Sequence, residues 1–500
     1  MLAAILLVVA TDGLRIEVTA AKGLLPTPTN GRMLVVFSTP DDDEPYRSVG
    51  EIGKDAPTVV GADADDFASG RTSTIDADAL AFPVGTLAKI KPGRYRVQAL
   101  FDRSRDIRLP AASGNLLSAA VEIEINPASV VRNPPEGNAG KDNSLKGGVL
   151  RLQLARTIPE PKEEPRADIR YIKLRSAALS RFWGHDIFLR AGLLLPVGWQ
   201  TDRERRYPLR VHIGGFGGRY YEVAGWRTAG AKEPRFLTLV LDGAGPLGDP
   251  YQVDSANHGP WGEALTRELI PHVEKEYRGD GRRVVDGAST GGWVSLALQV
   301  FYPDFFRGCW SHCPDPVDFR SFQLMNLYRD SNAYVNATGF ERASMRTLDG
   351  DTLYTVRHEV LLERVLGRGG RWELSGRDWA SWNAVFGPRG KEGLPKPLWN
   401  GATGVIDTTL IDVWKKYDLR LKLETDWKTL APKLRGKIRV YVGDSDDYFL
   451  NNAVERLKDF FDRAKPPYEG KIEFARRRGH NWRALNNRQM LEEMAEAVSR

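Results

Sequence analysis

Cysteine is nearly absent: the 500-residue chain holds two, Cys309 and Cys313. Two thiols cannot staple a fold of this length, so stability must come from burial. They stand four apart, about 13 Å on an extended strand at ~3.3 Å per residue. A disulfide needs Cα atoms within about 7 Å, so free thiols are expected unless a turn intervenes. Without further ligands they also make a poor zinc site. Long apolar runs are scarce too. Only the first ten residues, MLAAILLVVA, form one, and a bilayer span takes about 20. No membrane helix is expected. The run suits the apolar region of a secretory signal, yet no Lys or Arg precedes it and Thr11-Asp12-Gly13 is a poor cleavage site. A signal remnant and a first buried strand both stay open over residues 1–10. A secreted or periplasmic location is therefore the expectation, with the cytoplasm as alternative. A concentrated basic stripe is also missing, and a net charge of +6 is small for this size. That argues against a nucleic-acid partner. No 20–50-residue repeat is visible. What remains, 42% hydrophobic and 27% charged, is the balance of a globular chain, and its length predicts two domains or three.

The two ends of the chain read differently. Over residues 11–157, Leu14 to Val18, Val121 to Ile125 and Val149 to Leu154 alternate apolar and polar. Met33 to Phe37 and Arg94 to Leu100 are further strand candidates, with Pro92-Gly93 and Pro134 to Gly140 among the turn signals. This pattern predicts a small all-β, sandwich-like domain. Residues 1–165 carry 19 basic against 22 acidic side chains, net −3, and the remainder 52 against 43, net +9. Residues 158–167, proline-rich and charged, read as a stiff linker. From 168 to 500 strands alternate with helices. Ile187–Pro196, Leu209–Ile213, Phe236–Leu241, Arg283–Asp286, Phe306–Ser311 and Lys437–Val442 read as strands, and Glu263–Tyr277 and Val294–Tyr302 as helices. Helical stripes also run through Val454, Leu457, Phe460 and Phe461, and through Met490, Leu491, Met494 and Val498. The fold class is α/β, a doubly wound, mostly parallel sheet.

Gly287-Ala288-Ser289-Thr290-Gly291 fits G-x-S-x-G between a strand and a helix. Glycines on both sides let a sharp turn present the Ser289 hydroxyl above the sheet edge. A turn serine of no chemical role would look the same in isolation; strand before and apolar helix after favour a nucleophile. A serine hydroxyl needs an adjacent base. In strand–turn–helix nucleophile folds the order is serine, acid, histidine, which leaves His312, His358 and His480. His358 lies in a polar helical stretch and reads as a surface residue. His312 ends the next strand, where it could line the pocket but would break the order. His480, in Gly479-His480-Asn481-Trp482, is the candidate base. Such a base must be neutral to accept a proton, so activity is expected to fall on acidification through the ordinary histidine value of about 6.5. For the acid, Gly443-Asp444-Ser445-Asp446-Asp447 follows a strand directly. Asp446 is favoured and Asp444 and Asp447 stay open. The N–H of Thr290 is one candidate oxyanion donor. The second falls in Gly214-Gly215-Phe216-Gly217-Gly218, at Phe216 or Gly215 beside it. No Lys-Ser/Thr follows, which disfavours a phosphate loop.

Taken together, the Gly287-to-Trp293 elbow, the Gly214–Gly218 loop, Asn257-His258-Gly259-Pro260-Trp261-Gly262-Glu263 with Glu268-Leu269-Ile270-Pro271, Ser311 to Phe319, and Gly443-Asp444-Ser445-Asp446 resemble the "putative esterase" branch of the α/β-hydrolases, which includes esterase-D-type, feruloyl-esterase and mycolyltransferase enzymes. The resemblance covers about 168–500. It implies a serine nucleophile with acid and histidine and no metal or cofactor. The usual His-Gly opening of the oxyanion loop is Gly214-Gly215 in this chain.

A long segment, about 320–435, is rich in Trp, Tyr, Phe and Arg and is expected to form a cap. Trp293, Trp261 and His312 are candidate substrate contacts. Flat aromatic walls suit sugar rings or aromatic acids. A serine esterase acting on acylated or feruloylated carbohydrate is therefore the expected function. A prolyl-oligopeptidase-like peptidase and a non-catalytic carbohydrate-binding protein are the alternatives. The sequence carries no signal for an oligomeric state.

Overall fold

The computed structural model describes residues 14–125, 131–132, 145–146 and 148–499. The opening apolar run and the Pro134–Gly140 turn cluster lie outside them. Contacts divide the chain into two compact units. One comprises 1–161 with 357–380, and the other 162–356 with 381–500.

In the first unit, strands Arg15–Ala20, Thr29–Ser38, Gly93–Asp102, Val121–Ile125 and Val149–Thr157 form where the alternation points. Thr58–Phe67 is a further ten-residue strand, pairing antiparallel with Thr29–Ser38. Among the described residues, hydrogen bonds join twelve strands into one sheet. Thr29–Ser38 is buried on both faces because both of its alternating sets are apolar. Met33, Val35 and Phe37 join a core with Ile16, Val18, Phe101 and Leu150. Leu34 and Val36 join Leu100 and Leu117 on the other side. Leu362, Val365 and Leu366 complete that second cluster from helix Val356–Leu366. So a piece of the stretch expected as a cap belongs to this unit's own core. His358 on that helix is not the surface residue expected. It is half-buried with its ring 4.7 Å from Phe82, and burial lowers its pKa.

The second unit is built on eight strands: β1 (Ile169–Arg175), β2 (Phe188–Leu194), β3 (Tyr207–Ile213), β4 (Leu237–Leu241), β5 (Gly279–Ala288), β6 (Cys309–His312), β7 (Ile438–Gly443) and β8 (Lys471–Ala475). Their order is β1-β2-β4-β3-β5-β6-β7-β8. β2 runs antiparallel to β1 and β4, and the remaining pairings are parallel. This is the α/β-hydrolase arrangement, with helices α1 (Ile270–Tyr277), α2 (Thr290–Phe301), α3 (Asn451–Phe461) and α4 (Asn487–Ser499). The helix expected from Glu263 to Tyr277 is interrupted by a π-helical stretch, Ala264–Leu269. Pro271 has no N–H to return to the preceding turn, and within the π-helical stretch the Thr266 hydroxyl donates to Gly262 O at 2.7 Å. β5 is buried from Val284 to Gly287 before the elbow and α2 along nearly its whole length, so the turn joining them is held from both sides. The C-terminal ends of β3, β5, β6 and β7 lie side by side, the edge at which open α/β sheets bind ligands.

Candidate active site

The turn between β5 and α2 carries Ser289 at φ 60°, ψ −125°, a strained region for a residue with a side chain. The surroundings enforce it. Ser289 N donates to His312 O at 3.0 Å, and Trp293 N to Ser289 O at 3.1 Å. The elbow glycines are required by close approach rather than by sign of φ. A Cβ on Gly287 would lie 2.4 Å from Gly291 O, one on Gly291 2.2 Å from Ile213 O, and one on Gly292 2.4 Å from His312 O. The Ser289 side chain stays partly exposed while the residues on either flank of the turn are largely enclosed.

His480, in the loop after β8, directs Nδ1 at Asp446 Oδ2, 2.8 Å away. Asp446 is fully buried. Its other oxygen, Oδ1, accepts from Tyr448 N at 2.9 Å and Leu450 N at 3.3 Å, which fixes the carboxylate in the turn leading to α3. The neighbouring carboxylates serve the backbone instead. Asp444 accepts from Arg477 N at 2.7 Å, and Asp447 from His480 N at 3.3 Å. Three acidic residues in four positions thus divide between one side-chain partner and two loop anchors. Arg346, from the strand Ala343–Arg346, steadies the same turn: its N donates to Asp447 O at 2.9 Å and its Nε to Asp446 O at 3.1 Å. Burial of His480 opposes its charged form, but the Asp446 hydrogen bond and the adjoining Cys313 thiol outweigh that and raise its pKa. Cys313 and Cys309 are free and buried. Ligand atoms of Cys313, Asp446 and His480 lie within 4.8 Å of one another. The His480–Asp446 hydrogen bond already occupies two of them. Ser289 Oγ and His480 are not hydrogen-bonded to each other among the described residues.

The glycine loop after β3 passes beside the serine, since a Cβ on Gly215 would lie 3.9 Å from Ser289 Cβ. Gly218 N donates to Gly215 O at 2.9 Å and Gly217 N to Asp249 Oδ2 at 3.4 Å, which fixes the loop's shape around a half-exposed Phe216. Thr290, after the serine, is buried and its hydroxyl donates to Asp315 Oδ2 at 3.0 Å. The same oxygen takes Tyr251 Oη at 2.5 Å and Trp382 Nε1 at 3.2 Å. Burial pushes the Asp315 pKa up to about 6. Asp315 falls in the Ser311-to-Phe319 stretch and Trp382 in the aromatic segment, but sequence pattern assigns neither of them, nor Tyr251, a role at the site. Tyr251 and Gln252 both have positive φ.

The expected substrate contacts are placed otherwise. Trp293 is fully buried, its ring 5.6 Å from Tyr251 and 5.1 Å from Phe386, and Trp261 is buried as well. Both tryptophans are core residues and present no open wall. His312 is buried and stacked on Tyr441 at 4.9 Å; burial lowers its pKa to about 4. It contributes a backbone carbonyl to the elbow.

With a strained serine, a paired histidine and carboxylate and a glycine loop at one sheet edge, the comparison with known families becomes specific. Residues 249–489 match the family model described as "Putative esterase". This stretch belongs to the esterase family. Membership makes the protein an esterase, a hydrolase of carboxylic esters. No curated protein matches the chain. Among solved structures, a ferulic acid esterase is similar at 12% identity and TM-score 0.38, over 66% of this chain and 95% of that one. An S-formylglutathione hydrolase from Agrobacterium tumefaciens gives 12% and 0.38, over 68% and 98%. FphF, a fluorophosphonate-binding serine hydrolase of Staphylococcus aureus, gives 11% and 0.35, over 66% and 98%.

Proposed function

We propose that the esterase acts through Ser289 as nucleophile, His480 as general base and Asp446 as the acid that orients it. The observation that carries this reading is the His480 Nδ1–Asp446 Oδ2 hydrogen bond at 2.8 Å beside a serine held at φ 60°. In this reading His480 takes the hydroxyl proton as Ser289 Oγ attacks the ester carbonyl. The N–H groups of Thr290 and Phe216 receive the oxyanion. His480 then returns the proton to the departing alcohol, and water repeats the sequence on the acyl-enzyme. Serine–histidine contacts commonly tighten only when substrate binds. Asp446 holds the ring by Nδ1 and leaves Nε2 for the serine.

The proposal extends to acylated or feruloylated carbohydrate as substrate, with residues 320–356 and 381–435 of the expected cap contributing to the pocket. Stacking on Trp293 or Trp261 no longer supports that extension, since both rings are enclosed. Trp382 and Arg346 support the segment's part in the site, since it places them on Asp315 and on the Asp446 turn; the carbohydrate part rests on the sequence resemblance. Comparing kcat/KM on acetyl, feruloyl and palmitoyl esters tests it. Acetyl and feruloyl esters are expected to lead, and a palmitoyl preference would contradict the carbohydrate assignment.

A further inference from the structure

Asp315 is a buried carboxylate used on one side only. Its N–H donates to Ser289 O at 3.3 Å, so it stands directly against the nucleophile's backbone. Oδ2 is saturated by Tyr251 Oη, Thr290 Oγ1 and Trp382 Nε1. Tyr251 Oη also lies 3.2 Å from Thr290 Oγ1, which closes the network on that side. Oδ1 takes no hydrogen bond from any described residue and is not sealed from solvent. No described Lys or Arg pairs with Asp315; burial raises its pKa, and its hydrogen bonds and the charge of His480 partly offset that. Three donors on one oxygen fix the carboxylate plane and leave the second oxygen as a rigid acceptor on a residue whose backbone abuts Ser289. A purely structural carboxylate would have both oxygens engaged.

We propose that Asp315 is a specificity-determining residue whose Oδ1 accepts a hydrogen bond from an O–H or N–H donor carried by the ester close to its carbonyl. The donor is assigned to the substrate because no described residue supplies one, and the acceptor is pre-organised, so little ordering is needed on binding. A hydroxyl of a sugar or polyol and an ammonium of an amino-acid ester share this chemistry. The proposal rests on Ser289 being the nucleophile.

The test is kcat/KM on size-matched esters with and without the donor. On the acyl side these are 4-nitrophenyl butanoate, 2-hydroxybutanoate and 2-aminobutanoate. On the alcohol side they are propyl and 2-hydroxyethyl butanoate. The wild-type enzyme is expected to favour a donor-bearing member in at least one set by about 10- to 100-fold, the value of a hydrogen bond to a charged group. In Asp315→Asn the three protein donors hold the amide oxygen in the Oδ2 place, so the NH2 faces the substrate. The preference should collapse to about unity or reverse. A merely structural role would slow all members alike and leave their ratios in place. Wild-type ratios within about twofold in both sets overturn the proposal whatever the folding of the variant, and so does a preference that survives Asp315→Asn. Turnover that persists in Ser289→Ala overturns the nucleophile assignment, and this proposal with it. The hydroxyl and ammonium members identify which donor the site takes.

Discussion

At the residue scale, the site turns on how three neighbouring carboxylates are divided. Only Asp446 reaches the imidazole, at 2.8 Å, while Asp444 and Asp447 bind loop amides. Asp446→Asn is therefore expected to lower kcat by orders of magnitude, well beyond Asp444→Asn or Asp447→Asn. Steady-state kinetics on one aryl ester checks it, and a larger loss at either neighbour would reassign the acid. The pH dependence has a definite sign. Asp446 stabilises the imidazolium, and the base must be neutral to work. The acid limb of kcat/KM should consequently lie above the ordinary histidine value of about 6.5 rather than at it. Removing the charge in Asp446→Asn should move the limb down. A limb at or below 6.5 that does not move would contradict a His480–Asp446 pair. Order and local context in the sequence single out Ser289, His480 and Asp446, and the structure joins the last two by a hydrogen bond. Asp315 is marked locally only by Pro314-Asp315-Pro316 after β6; its partners Tyr251 and Trp382 lie 64 and 67 positions away, so their convergence on it is not legible.

At the element scale, periodicity predicts strands well wherever one face is apolar. It passes over Thr58–Phe67, whose second half, Ala62 to Phe67, carries three aspartates, and β1, which follows the proline-rich linker closely. Both are fixed by pairing with distant strands, a tertiary effect that local pattern does not contain. The elbow is where an element depends on a missing side chain. Gly291→Ala would place a methyl 2.2 Å from Ile213 O and 2.4 Å from Gly214 O, so β3 and α2 must separate. Esterase activity should fall by at least about a hundredfold, since small misplacements near the reacting atoms are that costly. Near-normal activity would show that the turn is less tightly enforced than its distances indicate. In the first unit, Leu362 is fully buried in the cluster formed with Leu34 and Val36. Leu362→Ala should cost about 2–5 kcal/mol of that unit's stability, read by denaturant unfolding. A loss below about 0.5 kcal/mol would mean that the helix does not hold the sheet face.

At the scale of the whole molecule, composition separates a β-rich beginning from an α/β remainder, and the two compact units follow that contrast. The return of 357–380 to the first unit is not legible, because an amphipathic helix does not encode which sheet it covers. The enclosed tryptophans teach the same lesson for function. Aromatic content near an elbow reads equally as binding wall or core, and burial decides for core at Trp293 and Trp261. The account's central claim is that one hydroxyl carries the chemistry. The most direct test is turnover of a short-chain aryl ester by the wild-type protein and Ser289→Ala, each with folding verified by circular dichroism. The prediction is measurable hydrolysis by the wild type and a loss of several orders of magnitude in the folded variant, because triad members act as a unit. Wild-type-like turnover in Ser289→Ala would contradict it.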